Sequence, residues 1–245
     1  DFSNGDQFWI AYSFENETSK NQGVGGQVLR EAGYTSKSRE HEINVSYRHN
    51  FSPRWVNQLR FLVGHNDEPI FSNLESPQLI VEGFFTKGGA QADSKRTESH
   101  IDGTDFVTYV NGRHVLVFGV DVPDISRRGA DDFTNAQGTY TFADIASYNV
   151  KSPAAFQIQT GNGHLVFWER TVAGFIEDSI RVKPNLSVVV GLRYYYQNYF
   201  HNDVNNFAPR VSIAFSPTAK SKTIFRTGAG IFYDRSGPRP IADLL

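Results

Sequence analysis

The sequence contains neither cysteine nor methionine among its 245 residues. Without cysteine, disulfide frameworks, thiolate metal sites and cysteine nucleophiles are all excluded. Methionine is missing even at position 1, and no charged-then-apolar leader of the secretory kind opens the chain. We therefore expect the chain to be a piece of a longer protein.

Long hydrophobic runs and an excess charge of one sign are also missing. No apolar run approaches the roughly 20 residues of a membrane-spanning helix, so only strands could cross a bilayer. The net charge of -2 and the pI near 6.4 give no reason to expect a nucleic acid partner. Aromatic residues make up 14% although the mean hydropathy is -0.41, which indicates alternation of apolar and polar positions.

Alternation with a period of two marks nine segments and predicts an all-β fold. In the clearest segment the even positions are mostly apolar: Leu186, Val188, Val190, Leu192, Tyr194 and Tyr196. The odd positions carry Ser187, Gly191, Arg193 and Gln197. The nine segments are 7–15, 41–51, 55–66, 99–110, 114–122, 165–182, 186–197, 208–217 and 222–234.

The connections between these segments alternate between short and long. Short breaks lie near Pro53, Asn111, Pro184 and Pro217, whereas most others are predicted to span roughly 25 to 40 residues, against about 2 to 5 for hairpins. The connection at 201–206 is a modest exception. Asn111-Gly112 predicts a hairpin with a type I′ turn. The region 123–163 is predicted to hold a short helix or an extra strand. Strict alternation predicts an antiparallel up-and-down meander with one tight rim and one looped rim.

Three features favour a membrane barrel over a soluble sandwich or barrel. Several segments reach the 9 to 11 residues that a tilted strand needs to cross hydrocarbon. The polar side carries residues suited to a wet or plugged lumen, including Gln58, Arg60, Glu177, Arg193 and Arg226. Aromatic rings cluster near segment ends, as in the girdles at membrane interfaces: Trp55, Tyr194 to Tyr196, Tyr199, Phe200, Phe232 and Tyr233.

The C-terminal third resembles the barrel of TonB-dependent outer-membrane receptors, in particular the Oar-like group. The blocks FIEDSIRVKPNLSVVVGLRYYYQ, NNFAPRVSIAFSP and KTIFRTGAGIFYDR carry the resemblance in this order, and NQGVGGQVLREAGYTSKSREHEINVSYRH and LVGHNDEP are similar to the same group. The resemblance is weakest over 88–163. It implies a 22-stranded barrel with a plug that receives energy through TonB. We expect residues 1–245 to form part of such a large transmembrane barrel, with the plug domain and the remaining strands absent.

The resemblance implies a transporter of the cell outer membrane rather than an enzyme. The expected function is energy-coupled uptake of an oligopeptide, glycan or chelate. Its expected partners are outer-membrane lipid, the TonB complex through the absent plug, and an unidentified cargo. A passive porin or adhesin barrel remains an alternative, as does a soluble extracellular β protein that binds carbohydrate.

No constellation in the sequence predicts a catalytic, cofactor or metal site. The histidines show no HxH or HExxH spacing; they are His41, His49, His65, His100, His114, His164 and His201. Gly23, Gly25 and Gly26 lack the Lys-Ser/Thr of a phosphate-binding loop. No GxSxG elbow is present. The substrate-binding residues are therefore left unassigned.

Two acidic pairs and two arginines are the remaining candidates for a functional role. Glu177 and Asp178 are adjacent on a predicted strand, so they should point to opposite faces and cannot act together. Asp131-Asp132 is predicted to lie in a solvated loop. Arg193 and Arg226 could steer an anionic cargo, but the favoured prediction is that they pair with acidic groups inside the barrel.

Overall fold

The computed structural model describes residues 5–199, 204–217, 223–234 and 237. Within them the chain forms thirteen β-strands, one α-helix and one 3-10 helix. The elements are β1 (Gln7–Gln22), the 3-10 helix (Arg30–Ala32), β2 (Tyr34–Ser52), β3 (Trp55–Ser72), β4 (Gln78–Val81), β5 (Phe85–Gly88), β6 (Ser94–Asn111), β7 (His114–Asp132), β8 (Thr139–Phe142), α1 (Ile145–Asn149), β9 (Ala155–Gln157), β10 (His164–Lys183), β11 (Leu186–Gln197), β12 (Phe207–Phe215) and β13 (Phe225–Gly230).

Nine strands form one large sheet in the order β1-β2-β3-β6-β7-β10-β11-β12-β13. Every neighbouring pair in it is antiparallel. Each of the nine predicted segments supplies one of these strands. The predicted all-β, antiparallel up-and-down meander is therefore confirmed.

The strands from β1 to β10 in this sheet are longer than the alternation predicted. β3 continues to Ser72, and β7 continues to Asp132. Their added residues are largely polar on both faces, so backbone hydrogen bonds extend the ladder where side chains no longer alternate. The connection expected over 123–163 is in fact 133–163, and two other long connections, 23–33 and 73–93, are shorter than expected.

A β-bulge at Val122 and Pro123 explains why the regular alternation ends at Val122 although β7 continues to Asp132. The register of β7 shifts there against both neighbours, between Ile101 and Gly103 on β6 and between Thr171 and Ala173 on β10. Proline has no N–H to donate to a ladder, so it suits such an irregular position. The bulge inverts the alternation, so Asp121 and Asp124 point to the same face.

The hairpin predicted at Asn111-Gly112 is present, but its turn lies one residue later. Asn111 pairs with His114, which leaves Gly112 and Arg113 as the two turn residues. Gly112 has φ of 60°, and Arg113 is not among the residues with positive φ. One positive φ at the first turn position fits type II′ rather than the predicted type I′.

The long connections build a second sheet, β5-β4-β8-β9, which we call the cap sheet. β4 and β8 pair in parallel although they come from different connections, and Val28 of a third connection bridges to Thr86. The connection 133–163 thus contains both the short helix and the extra strands. Asp144 caps α1 by accepting a hydrogen bond from the Ser147 backbone N–H at 2.7 Å, which lowers the pKa of Asp144.

The small apolar core lies in the cap sheet. Val81 and Phe142 are buried there, at 1% and 5% exposure. The ring of Tyr148 from α1 packs edge-on against Phe85 and Phe142, each at 5.4 Å between centroids. These contacts hold α1 on one face of the cap sheet.

The two faces of the large sheet differ: the apolar face is exposed, and the polar face contains enclosed side chains. On its apolar face, Phe8, Ile10, Val120 and Val190 are 50%, 58%, 51% and 42% exposed. Its opposite, polar face holds the enclosed side chains, among them Asp124, Ser126, Glu169 and Thr171. This arrangement is the reverse of a soluble protein, so the apolar face requires an apolar solvent. Among the described helices, none has the length and hydrophobicity of a membrane span.

Candidate functional site on the polar face of the sheet

The most enclosed charged cluster of the polar face surrounds Arg128 on β7. Arg128 contacts Asp124 at 3.0 Å, Glu98 of β6 at 2.5 Å and Glu169 of β10 at 3.2 Å. Glu169 is fully buried, and the Arg128 side chain is 24% exposed. One guanidinium thus links three adjacent strands through three carboxylates, which leaves the cluster acidic.

Tyr199, just beyond the end of β11, lies beside this cluster. Burial raises the pKa of the Tyr199 hydroxyl, and the Glu169 carboxylate raises it further. The tyrosine therefore stays protonated and can donate a hydrogen bond to the acidic cluster.

A second charged contact lies on the same face, nearer the short-turn end of the sheet. Arg193 of β11 pairs with Asp121 of β7, which also accepts a hydrogen bond from Thr104 at 2.9 Å. The Arg193 guanidinium carbon lies 4.7 Å from the ring centroid of Tyr195 and 5.5 Å from that of Phe175. The predicted pairing of Arg193 with an acidic group on this face is confirmed.

Several cavities open on the polar face of the described sheet, and two of them are large enough to matter for a solute. The larger, of about 530 Å³, lies toward the long connections and is lined by charged and hydroxyl side chains such as Glu17, Ser36, Glu68, Arg96 and Asp132. The other, of about 410 Å³, follows a row of paired residues that includes Trp9, Ser46, Arg60, Thr104 and Asp121. Both can accommodate polar solutes.

The apolar face has the height of a membrane-spanning strand. Its large apolar side chains run from Trp55 to Val63 on β3 and from Leu186 to Tyr196 on β11. These spans match the about 9 to 11 residues with which a tilted strand crosses hydrocarbon. Near the short-turn end, Trp55 stacks on Tyr109 with 4.2 Å between ring centroids, as in an interfacial aromatic girdle.

Residues 1–204 and 195–243 match the family of outer membrane beta barrel domains. The chain belongs to this family. It therefore forms part of a transmembrane barrel wall in the outer membrane, with its apolar face toward lipid and its polar face toward the lumen. This localisation contradicts the alternative of a soluble extracellular carbohydrate-binding protein.

Among solved structures, the chain is similar to the outer membrane transporter YddB from Escherichia coli. The TM-score is 0.65 at 13% sequence identity, which establishes a shared barrel fold. The similarity covers 92% of this chain and 29% of the transporter chain. No curated protein matches the sequence.

The barrel wall distributes the histidines over both faces. Five histidines lie on the lipid face: His41, His49, His65, His114 and His164. His100 lies on the lumen face, 3.8 Å from Glu98. Phe200 and His201 lie outside the described residues. Among the described residues, no three His, Asp or Glu side chains are arranged to hold a metal ion.

The acidic pairs are only partly as predicted. Glu177 pairs with Gly191 and Asp178 with Val190, so the two acids do point to opposite faces. The prediction that Asp131 and Asp132 lie in a loop is wrong, because they are the last two residues of β7. Asp131 lies 2.5 Å from His164, and Asp132 accepts hydrogen bonds from Thr134.

Two tyrosines assigned to the aromatic girdle belong instead to the lumen side. Tyr195 pairs with Ala173 on the polar face and contacts Arg193. Tyr199 lies beside Glu169. Tyr194 and Tyr196, by contrast, face lipid with Leu192, since alternate residues share a face.

Sequence reasoning missed the Arg128 cluster. Arg128 and Glu98 lie in or next to regions interpreted as loops, and no local spacing connects them to Glu169. Only the cross-strand register brings the three together: Glu98 pairs with Arg128, and Glu169 pairs with Ser126, which lies two residues from Arg128 on the same face. The single available signal was the buried side of the period-two pattern in β10, where Glu169 and Thr171 share the lumen face.

Proposed function

We propose that this barrel wall is a segment of an energy-coupled transporter that takes up a nutrient across the outer membrane. The observation that carries the proposal is the charged lumen wall, with its Arg128 cluster, next to long connections joined into one cap sheet. A passive channel requires neither an enclosed charged network nor an organised cap. The described similarity to an outer membrane transporter supports the same role.

The proposed orientation places the cap sheet outside the cell. Outer-membrane barrels have short periplasmic turns and longer extracellular loops. The two-residue turns at 53–54, 112–113 and 184–185 would then face the periplasm. The cap sheet and the cavity of about 530 Å³ near it would meet cargo first.

The proposed domain arrangement is a partial one. Residues 1–245 would be a partial barrel domain of a TonB-dependent transporter whose remaining strands and plug lie elsewhere in the protein. The chain spans 29% of the length of YddB, and among the described residues its nine-stranded sheet ends at two edge strands, β1 and β13. Further strands would pair with those edges. The plug would contact the TonB complex and fill the lumen against the Arg128 cluster.

The cargo class stays within the three candidates that the Oar-like resemblance suggests: oligopeptide, glycan fragment or chelate. The lumen wall offers both carboxylates and guanidinium groups, which suit a solute with several polar groups.

Energy coupling can be tested with the full-length protein in cells. Fluorescent oligopeptides, chitin oligosaccharides and iron chelates would be supplied separately to cells that do and do not express the protein. Uptake of one of them that stops on adding a protonophore supports the proposal, because energy reaches the outer membrane from the inner-membrane gradient. Uptake that continues unchanged overturns it.

The passive porin is the second candidate, since lumen cavities are already open in the described wall. Planar-bilayer recordings of the full-length protein separate the two. A plugged transporter gives no steady conductance at moderate voltage, whereas a porin conducts continuously. Continuous conductance would favour the porin.

A further inference from the structure

Two arginines lie side by side on the lipid face of the barrel wall, near the end with the long connections. Arg127 of β7 pairs with Trp168 of β10, and Arg170 lies two residues beyond Trp168. Strand pairing fixes their direction: Arg170 lies opposite Ile125, which lies opposite Ile101 of the apolar face. Directly paired residues in an antiparallel sheet share a face. We call Arg127, Trp168 and Arg170 the arginine site.

The arginine site lies where the apolar band of the barrel ends. His65 pairs with Ser99, and Ser99 pairs with Arg127, so the three share one level of the wall. Along β3 the rise from Trp55 to His65 is about 25 Å, at about 3.3 Å per residue and a strand tilt near 40°. The apolar band of such a barrel is about 25 Å tall. Arg127 therefore lies at the headgroup level opposite the girdle of Trp55.

The side chain of Arg170 bends toward the same headgroup level. Its backbone lies two residues deeper in the band than Trp168, but its guanidinium carbon lies 5.5 Å from the centroid of the Trp168 ring. Trp168 is 47% exposed. Long basic side chains in lipid reach for the interface in this way, and aromatic rings settle there. Both guanidinium groups are thus presented to lipid headgroups.

Neither arginine of the site has an acidic partner in the described part of the chain. The neighbouring Arg128 points to the lumen and contacts three carboxylates, whereas Arg127 and Arg170 contact none. Both are exposed. As diagonal neighbours on adjacent strands, they have Cα atoms about 7–8 Å apart. Two like charges at this distance repel each other, so an anion between them would stabilise the wall.

The acids at the same end of the lipid face are already occupied by other cations. Asp67 lies 2.9 Å from Lys95 Nζ, and Asp131 lies 2.5 Å from His164 Nδ1. The carboxylates around Arg128 lie on the lumen face. An anion for the two guanidinium groups must therefore come from outside the described wall.

The basic surface continues on β2 at the same end of the lipid face. Lys37 and Arg39 share a face with His41, which pairs with His65 at the level of the arginine site. Both are exposed, and Lys37 Nζ lies 5.6 Å from the ring centroid of Phe71. Neither contacts a carboxylate among the described residues. Clusters of exposed cations at a membrane interface attract anionic lipid.

We propose that the arginine site binds the phosphate groups of a lipid headgroup. Guanidinium presents a planar fork of donors that matches phosphate, and a phosphate between Arg127 and Arg170 would neutralise both. With the cap sheet outside the cell, the lipid in reach is the phosphorylated glycolipid of the outer leaflet. The choice of leaflet depends on the proposed orientation. The inference depends on neither energy coupling nor a plug.

Lipid binding to the full-length protein in mild detergent tests the proposal. The probe is lipid A with its two phosphates, and native mass spectrometry measures its affinity. We expect the double variant Arg127→Gln and Arg170→Gln to bind it at least about tenfold more weakly, since charge-assisted hydrogen bonds are lost. Lipid A without phosphates should bind the wild type as weakly as phosphorylated lipid A binds the double variant.

Arg226→Gln is the matched control, because it makes the same change of charge at an exposed arginine on the lumen face of β13. It should leave the affinity for lipid A unchanged. Heat-dependent mobility on gels verifies that each variant forms a barrel. Should the double variant fail to fold, Arg127→Lys takes its place. Lysine keeps the charge but loses the fork, so binding should still weaken.

Competition with millimolar inorganic phosphate separates a lipid headgroup from a free anion. Lipid A should stay bound, and its displacement would assign the arginine site to a soluble phosphate and overturn the inference. Equal affinities of the wild type and the double variant would also overturn it, as would an equal loss in Arg226→Gln. A failure of energy-coupled uptake would leave these binding results unchanged, so the two proposals can fail separately.

Discussion

At the scale of single residues, Val190 and Ser187 show how strongly the two faces of one strand differ. Both belong to β11, yet Val190 is lipid-facing and pairs with Val211, whereas Ser187 is lumen-facing and pairs with Arg181. A charge is costly in lipid and solvated in a wet lumen. The position of a residue within the period of two therefore decides the effect of a substitution.

Val190→Arg should destabilise the barrel by about 2–4 kcal/mol if the residue lies near the bilayer midplane. Val188→Arg should act in the same direction. Ser187→Arg is the control and should be nearly neutral. Urea unfolding of the full-length protein in phospholipid vesicles measures the difference. A harmless Val190→Arg together with a damaging Ser187→Arg would show that the two faces are reversed.

Arg128 is the residue on which the enclosed lumen charges depend. Arg128→Met leaves three carboxylates close together without their shared cation, and we expect a loss of about 2–4 kcal/mol. The loss of stability should be smaller than for a fully buried ion pair, because the Arg128 side chain is 24% exposed. The control is Arg226→Met, which removes an exposed arginine on the lumen face of β13. Equal unfolding free energies for the two variants would contradict the importance of the cluster.

At the scale of elements, the hairpin of β6 and β7 depends on one backbone conformation. Gly112 has φ of 60°, which side chains with a branched Cβ avoid and asparagine tolerates. The turn fixes the pairing of Asn111 with His114 and hence the register of β6 against β7 as far as the bulge at Val122 and Pro123.

Gly112→Val should therefore cost about 1–2 kcal/mol, and Gly112→Asn should cost less. Refolding yield and urea unfolding of the full-length variants in lipid vesicles check this order. Equal stability of the two variants would mean that the turn relaxes to another type without penalty.

At the scale of the whole molecule, the alternation of short turns and long connections defines two ends of the barrel wall. Trypsin on intact cells should cut after Lys151, which is exposed in the connection 133–163, and spare Arg54 in a two-residue turn. Permeabilised cells are the control and should allow cleavage at Arg54. Mass spectrometry identifies the fragments. Cleavage at Arg54 alone in intact cells would invert the proposed orientation.

The sequence by itself determined the nine strands, their order and the face that each apolar side chain takes. Alternation is a local property of an extended chain in contact with two different solvents, so Phe8, Ile10 and Val190 could be assigned without knowing any partner. The looped and tight rims followed from the spacing of the turn residues. These features required no long-range contact.

Only the tertiary structure decided which charges meet and how the long connections fold. Glu98, Arg128 and Glu169 come together through a cross-strand register that the bulge at Val122 and Pro123 shifts. β4 and β8 pair in parallel across 57 residues of intervening chain, from 82 to 138, and no local pattern encodes that pairing. Register and pairing are non-local, because they depend on backbone hydrogen bonds that any sequence can make.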